Sequence, residues 1–151
     1  MSPWIYNNQE MLDISSFPEN TFGFVYKITH LPTEKVYIGK KVLFHNRKVK
    51  LGKKELIQYE GVVGRRPSYK IAVKESNWNK YYGSNKSLLE LINEEPYENF
   101  SRDILLFAPT KKLLTYYETQ VLFVYRVLEE PEMYFNDNIL GKFFRKDFDI
   151  E

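Results

Sequence analysis

The sequence predicts an α+β fold in which a small three-stranded antiparallel sheet is flanked by helices. Two runs rich in β-branched and aromatic residues, 21–30 and 35–41, are separated by four residues and indicate a hairpin. A third run of this kind lies at residues 100–107. Helical patterns occupy residues 84–94 and 111–129. At 151 residues, 43% of them hydrophobic, the chain is long enough for one domain with its own core.

The predicted hairpin places two tyrosines on one face. Residues 31–34 have the composition of a turn. If they form the loop, Tyr26 lies opposite Gly39. Tyr37 then lies opposite Ile28, and because side chains alternate along a strand the two phenols share a face. A glycine inside a strand often marks the close approach of a ligand or of backbone, so we expect open space across from the Tyr26 ring.

The last helical pattern carries one carboxylate on its apolar stripe. Thr110 is a suitable N-cap residue for this helix. The stripe runs through Leu114, Glu118, Val121, Tyr125 and Leu128. Desolvation of an unpaired charge is costly, so Glu118 should have a metal ion, an arginine or a strong hydrogen-bond donor beside it. An alternative stripe, rotated by one position, runs through Leu114, Tyr117, Val121 and Val124. That alternative would leave Glu118 at the solvent boundary.

A strongly basic segment separates the hairpin from the first helix. Residues 40–86 carry 13 Lys or Arg and 3 Glu, although the net charge of the whole chain is only +2. Aromatic residues are interleaved with these cations, a pattern that suits a nucleic-acid backbone. We predict DNA contacts for Lys40, Lys41, Lys48, Lys50, Arg65, Arg66, Lys70, Trp78, Lys80 and Lys86. The simpler interpretation is a solvated loop, which fits Lys53 and Lys54 better than Arg65 and Arg66.

Composition excludes several classes of protein. The chain has no cysteine, which rules out disulfides, thiol nucleophiles and Cys-based zinc sites. Its first residues contain neither a basic nor an apolar signal region, and no apolar run reaches membrane-spanning length. We therefore expect a soluble cytoplasmic protein with no membrane partner.

Two tripeptides carry a resemblance to a known family. Phe24-Val25-Tyr26 and Tyr37-Ile38-Gly39, with ten residues between them, resemble the signature tripeptides of the GIY-YIG nuclease family. Phe24 stands where the first glycine of the family usually does. Arg47, Glu118 and Asn136 follow in the order and approximate spacing that the family shows.

The resemblance also implies a division of the chain. Residues 1–20 would be an N-terminal extension, 21–144 the nuclease domain and 145–151 a tail. A basic insertion at 48–81 would interrupt the domain, and the segment 78–86 resembles phage-encoded members with a long insertion after the second tripeptide.

Catalytic roles follow from the resemblance. It implies a divalent ion, Mg²⁺ or Mn²⁺, on Glu118 and a phosphate oxygen held by Arg47. Tyr26 would be the general base, with Tyr37 orienting it or the water, although which tyrosine is the base stays open. A phenol has an ordinary pKa of about 10, so neighbouring cations such as Lys41 would have to lower it.

Two further site residues are suggested by position. The family often adds a histidine or a second tyrosine to these groups, and here Tyr82 is a better candidate than His45. Asn136 resembles the late asparagine of the family, whereas its residue type alone favours an Asx-type turn cap.

The function that these observations imply is cleavage of double-stranded DNA by a metal-dependent endonuclease encoded by a phage or mobile element. Only about seven residues follow Phe144, so sequence specificity would come from the insertion, a homo-oligomer or a partner. One alternative is a non-catalytic nucleic-acid-binding module with an idle nuclease constellation. Another is a phage inhibitory or interaction protein that uses the basic segment to bind an acidic partner.

Overall fold

The computed structural model describes residues 1–62 and 64–149, in which the chain divides into two compact units. The first unit combines Met1–Leu43 with Asn77–Glu151, and the second is Phe44–Ser76. The elements are β1 (Trp4–Tyr6), β2 (Gln9–Glu10), β3 (Gly23–His30), β4 (Lys35–Val42), β5 (Phe44–Lys50), α1 (Lys53–Ile57), β6 (Tyr69–Glu75), α2 (Lys86–Glu94), β7 (Phe100–Ala108), α3 (Lys111–Val124), β8 (Asn138–Ile139) and β9 (Phe143–Phe144).

The main sheet of the first unit has the strand order β2-β1-β7-β3-β4. Its central part, β7-β3-β4, is the predicted three-stranded antiparallel sheet, which confirms the α+β fold. The two additional strands come from the segment expected to be an extension, and β1 pairs parallel to β7. Trp4 anchors β1, since it is 1% exposed and packs edge-on against Phe24 at 5.0 Å between ring centroids.

The hairpin β3–β4 has the predicted register. Tyr26 pairs with Gly39, and Ile28 pairs with Tyr37. Glu34 closes the four-residue turn with a left-handed φ of 62°. The two tyrosines therefore share a face of the sheet, as the alternation of side chains requires.

The two faces of this sheet are covered differently. On the face opposite the tyrosines, Val25 and Ile38 form the core with Leu114 and Leu122 of α3. On the tyrosine face, an aromatic cluster surrounds Phe24, with Trp4, Phe17, Tyr26 and Trp78 as its other members. All five ring pairs are tilted or edge-on, and none is a face-to-face sandwich, the arrangement that aromatic rings disfavour.

Trp78 was predicted to contact DNA, and the structure contradicts this. The side chain is 1% exposed. Its ring packs edge-on against Phe17 at 4.9 Å, and its carbonyl accepts a hydrogen bond of 2.7 Å from Trp4 Nε1. Trp78 is therefore a core residue that joins the N-terminal segment to the loop before α2.

Helix α3 begins at the predicted cap and ends earlier than expected. The Thr110 side chain accepts a hydrogen bond from the Leu113 amide at 3.1 Å. The helix stops at Val124, and Arg126 follows with a left-handed φ of 55°. Neither predicted stripe is fully correct, because Tyr125 and Val124 are both exposed. The fully buried helical positions are Leu114 and Leu122, one turn on either side of Glu118.

The second unit is a two-stranded ribbon with a short helix. β5 pairs antiparallel with β6, and Arg47 lies opposite Ala72. Leu51, just before α1, is buried. No strand was predicted in this basic segment, although Tyr69–Glu75 alternates apolar with charged or small residues as an exposed ribbon does.

Among the described residues, no helix is long and apolar enough to span a membrane.

Candidate active site

A cleft with a volume of about 440 Å³ opens in the first unit beside β4, the edge strand of the sheet. Its walls are Tyr37 of β4, residues 84–86 at the start of α2, Glu118 of α3 and residues 136–138. The polar side chains of four separate segments thus meet around one space. The edge strand makes this possible, because groups from both faces of the sheet can reach around it.

Tyr37 is the hairpin tyrosine that lines the cleft. It is half-buried, and its hydroxyl lies 3.3 Å from Ser84 Oγ. Burial raises the pKa of Tyr37, the hydrogen bond with Ser84 opposes that rise, and the carboxylates of Glu118 and Asp137 add to it. The phenol is therefore protonated at neutral pH until a cation or another charge change stabilises the phenolate.

Tyr26 lies beneath the cleft rather than in it. The side chain is 1% exposed, and its ring centroid lies 6.2 Å from that of Tyr37. Its hydroxyl fills the space that Gly39 leaves, since a Cβ built on Gly39 would lie 2.5 Å from that oxygen. A Cβ on Gly83 would lie 3.4 Å from the same hydroxyl. The expected open space at Gly39 is therefore occupied by Tyr26 itself.

The pKa of Tyr26 moves opposite to the expected direction. Burial raises this pKa well above its ordinary value, and the neighbouring phenols of Tyr37 and Tyr81 raise it further. The cations expected to lower it have other neighbours. Lys41 lies over the Tyr81 ring at 4.0 Å, and Lys40 donates a hydrogen bond of 2.8 Å to a threonine of α3. The buried phenol thus keeps its proton.

Glu118 presents a partly desolvated carboxylate to the cleft. It is half-buried between the two buried leucines of α3. Burial raises its pKa, and the positive charge of Lys40 lowers it. Among the described residues, no hydrogen-bond donor acts on this carboxylate. A half-buried carboxylate without a donor, facing a polar cleft, is a suitable oxygen ligand for a hard divalent cation.

Asn136 continues the backbone pairing of the edge strand. Val36 forms a bridge with Tyr134, and the Phe135 amide donates to the Val36 carbonyl at 2.8 Å. One step further, Asn136 Oδ1 accepts from the Ile38 amide at 3.0 Å, and Nδ2 donates to the Ile38 carbonyl at 2.8 Å. The oxygen and the nitrogen of the Asn136 side-chain amide are therefore both hydrogen-bonded to the backbone of β4. The asparagine is thus not the local Asx-turn cap that its residue type suggested.

Tyr82 does not join the group around Tyr26, and its neighbour Tyr81 does. The Tyr82 hydroxyl accepts a hydrogen bond of 3.0 Å from the Ser2 amide, and its ring lies 4.3 Å from the Arg102 guanidinium. The Tyr81 ring instead lies edge-on to Tyr26 at 6.0 Å between centroids. The sequence alone does not determine which of the two adjacent tyrosines, Tyr81 or Tyr82, turns toward the site.

Arg102 fixes the loop that carries these tyrosines. It is 2% exposed, and its guanidinium donates to the carbonyl oxygens of Ser2 and Tyr81. Burial lowers its pKa to about 10. A buried arginine with carbonyl acceptors and aromatic faces is satisfied without a carboxylate. It links β7, the N-terminal segment and the loop before α2.

The predicted cations are divided between the two units. Lys86 is exposed and lines the cleft, and Lys40, Lys41 and Lys80 also belong to the first unit. The cations of the second unit are Arg47, Lys48, Lys50, Arg65, Arg66 and Lys70. Since Arg47 belongs to the second unit, its contact with the cleft stays a prediction. Asp137 also lines the cleft and was not predicted from the sequence. Its position next to Asn136 is the feature of the sequence that could have indicated it.

A known protein family matches most of the chain. Residues 4–139 match the family model described as "Putative endonuclease segE, GIY-YIG domain". Neither the curated proteins nor the solved structures include a significant match to the chain. The matched range includes the hairpin, nearly all of the cleft lining and the helix with Glu118, and it covers most of the sequence. The chain therefore belongs to the GIY-YIG family, as a SegE-type endonuclease domain.

Proposed function

We propose that the chain hydrolyses phosphodiester bonds of double-stranded DNA with the help of a divalent metal ion, and that the reaction takes place in the cleft beside β4. The observation that carries the proposal is the presence of a phenol, a carboxylate and a lysine around one polar space, namely Tyr37, Glu118 and Lys86. These are the groups needed to take a proton, to hold a cation and to bind a phosphate.

Glu118 would hold the metal ion, with Mg²⁺ or Mn²⁺ as the expected species. Mg²⁺ commonly takes one or two protein carboxylates together with water and substrate phosphates. Asp137 lines the same cleft and offers a second carboxylate. When bound, such an ion neutralises negative charge on the transferring phosphate and on the leaving oxygen.

We assign the general base to Tyr37, because its phenol reaches the cleft and that of Tyr26 is buried. Tyr37 would first lose its own proton to solvent, which requires a bound cation to lower its raised pKa, and would then take the proton of the attacking water. Tyr26 would act through Tyr37 as a positioning residue. Its ring supports that of Tyr37 from inside the sheet face.

Asn136 would position the catalytic strand. Its two hydrogen bonds fix Ile38, the residue between Tyr37 and Gly39. This arrangement holds the Tyr37 backbone still while its side chain faces the substrate, which is the kind of support that precise catalytic geometry needs.

Lys86 would hold a nonbridging oxygen of the scissile phosphate. It is exposed at the first turn of α2 and lines the cleft with the proposed base and the proposed metal ligand. A lysine binds phosphate as a point charge. Arg47 remains a proposed second phosphate-binding cation.

The decisive experiment is incubation of the purified protein with supercoiled plasmid in Mg²⁺ or in EDTA. We expect relaxed or linear product in Mg²⁺ and none in EDTA. Plasmid that is retained in a gel-shift assay yet stays uncut in both Mg²⁺ and Mn²⁺ would support a non-catalytic nucleic-acid-binding module instead.

A further inference from the structure

Among the described residues of the second unit, no element covers one face of the β5–β6 ribbon. By the β5–β6 register, Asn46 lies opposite Val73, Lys48 opposite Ile71 and Lys50 opposite Tyr69. We call these six residues the open ribbon face. The polar members on β5 are exposed, and the apolar members on β6 are 59% to 67% exposed. Three large apolar side chains in a row at this exposure are unusual for a surface without a partner.

Helix α1 contacts the opposite face of the ribbon through an ion pair. Lys70, on that face by register, forms an ion pair of 2.8 Å with Glu55 of α1. Val49 of β5 and Ala72 of β6, diagonal neighbours on the same face, are half-buried. Among the described residues of the second unit, the ion pair with α1 and the half-buried side chains both lie on this opposite face. The open ribbon face is therefore available for a partner.

The arrangement of the open ribbon face selects the chemistry of that partner. Each apolar side chain lies directly opposite a polar or cationic one. A purely apolar partner would bury Lys48 and Lys50 without counter-charge, which is costly. The same face also borders a groove of about 540 Å³ to which Arg65 and Arg66 contribute. A suitable partner carries many negative charges and also offers small apolar groups between hydrogen-bonding edges.

Duplex DNA meets both requirements in its major groove, which is wide enough to admit a two-stranded β-ribbon. We propose that the open ribbon face enters the major groove and reads base sequence, so that the second unit supplies the specificity of the nuclease. This proposal rests on the proposed function for its substrate. It goes further by naming the recognition face, the groove and the mode of reading.

The spacing of the side chains fits this mode. Alternate residues on a strand are separated by about 6.6 Å, close to two base-pair steps of about 3.4 Å each. Asn46 has the amide that pairs with the edge of adenine, and Lys48 can donate to guanine. Ile71 and Val73 can contact the 5-methyl group of thymine. Arg65 and Arg66 would then bind phosphates beside the groove, which positions the ribbon without reading sequence.

The test is selection of duplexes from a random library by the uncleaving Glu118→Gln protein, compared with two double variants of it. One double variant is Ile71→Ser with Val73→Ser. The matched control is Leu56→Ser with Ile57→Ser, which removes two exposed apolar side chains of α1 in the same unit. We expect an enriched motif of roughly four to six base pairs for the parent and the control, and loss of that enrichment in the ribbon variant. Circular dichroism shows whether each variant remains folded.

A second measurement uses the selected duplex with each thymine of the motif replaced in turn by deoxyuridine, which lacks only the methyl group. We expect at least one position where binding weakens by about 3-fold to 10-fold in the parent, as deletion of one buried methyl implies. The Ile71→Ser, Val73→Ser variant should bind the thymine duplex and the deoxyuridine duplex equally. Equal binding of both duplexes by the parent at every position would overturn the apolar readout.

The outcomes separate this proposal from the proposed function. Cleavage of plasmid by the wild type without any enriched motif would overturn the ribbon proposal and leave the nuclease intact. An enriched motif in a protein that never cuts DNA would overturn the nuclease instead. A third outcome is that the parent elutes as a dimer, while the Ile71→Ser, Val73→Ser variant elutes as a monomer and still selects the same DNA motif. That outcome would overturn the ribbon proposal and show that the open ribbon face binds a second copy of the chain.

Discussion

Gly39→Ala tests whether the Tyr26 hydroxyl fills the space across the hairpin. The new methyl group would lie 2.5 Å from the Tyr26 hydroxyl and 2.7 Å from the ring carbon that bears it. Tyr26 cannot easily move, because Trp4, Phe24 and Tyr81 surround its ring at 5.2 to 6.1 Å between centroids. Overpacking of a closed core costs about 1 to 3 kcal/mol.

We therefore expect Gly39→Ala to lower the free energy of unfolding by about 1 to 3 kcal/mol, and the melting temperature by roughly 3 to 10 °C. Urea unfolding followed by circular dichroism measures the first quantity. Gly52→Ala is the matched control, because the nearest atom to its methyl group would be at 3.8 Å. Because the displaced Tyr26 ring presses on Tyr37, cleavage should also fall. A Gly39→Ala protein as stable and active as the control would refute the packing described for Tyr26.

Three further predictions concern the residues around the cleft. Tyr37→Phe should reduce the cleavage rate by about 10²-fold or more, with a smaller loss for Tyr26→Phe. Because the pKa of Tyr37 is raised, the cleavage rate of the wild type should increase with pH through the alkaline range. A cleavage rate that does not change with pH would contradict the assignment of Tyr37 as the base. Asn136→Ala removes both bonds to Ile38 and should cost about 1 to 3 kcal/mol of stability, measured in urea, while Asn138→Ala on the exposed neighbour should cost less than half as much. Arg102→Met should lower kcat by loosening the loop that holds Tyr81, with DNA affinity unchanged in gel shift; a proportional loss of affinity would place Arg102 in DNA binding instead.

The parts of the site that follow from strand alternation could be predicted from the sequence. A four-residue turn allows one in-register pairing, so the positions of Tyr26 and Tyr37 on one face were determined by counting. The Thr110 cap followed from its residue type and its position before the helical pattern. Helical periodicity placed Glu118 near the buried stripe of α3, although the buried positions are Leu114 and Leu122 and Tyr125 is exposed.

Contacts between distant segments could not be predicted in this way. Local pattern did not distinguish Tyr81 from Tyr82, because the choice depends on Arg102 and on an N-terminal segment about eighty residues away in sequence. The burial of Trp78 has the same origin, since its partner is Trp4 in a strand of only three residues. Short strands paired over long sequence separations leave too weak a signal in one sequence.

Glu118→Gln tests the central claim most directly, with Glu90→Gln on the exposed surface of α2 as its control. Burial raises the pKa of Glu118 in the folded protein above the ordinary carboxyl value that it has in the unfolded chain. The ionised side chain therefore destabilises the fold at pH values above the folded-state pKa, and this effect is absent at pH values below the unfolded-state pKa. At pH 7 without metal, Glu118→Gln should therefore be at least as stable as the wild type. The measurement is nicking of supercoiled plasmid in Mg²⁺, with DNA binding followed on the same samples. We predict loss of cleavage by about 10²-fold or more for Glu118→Gln with binding retained, and normal cleavage for Glu90→Gln. Wild-type nicking by a folded Glu118→Gln protein would contradict the account.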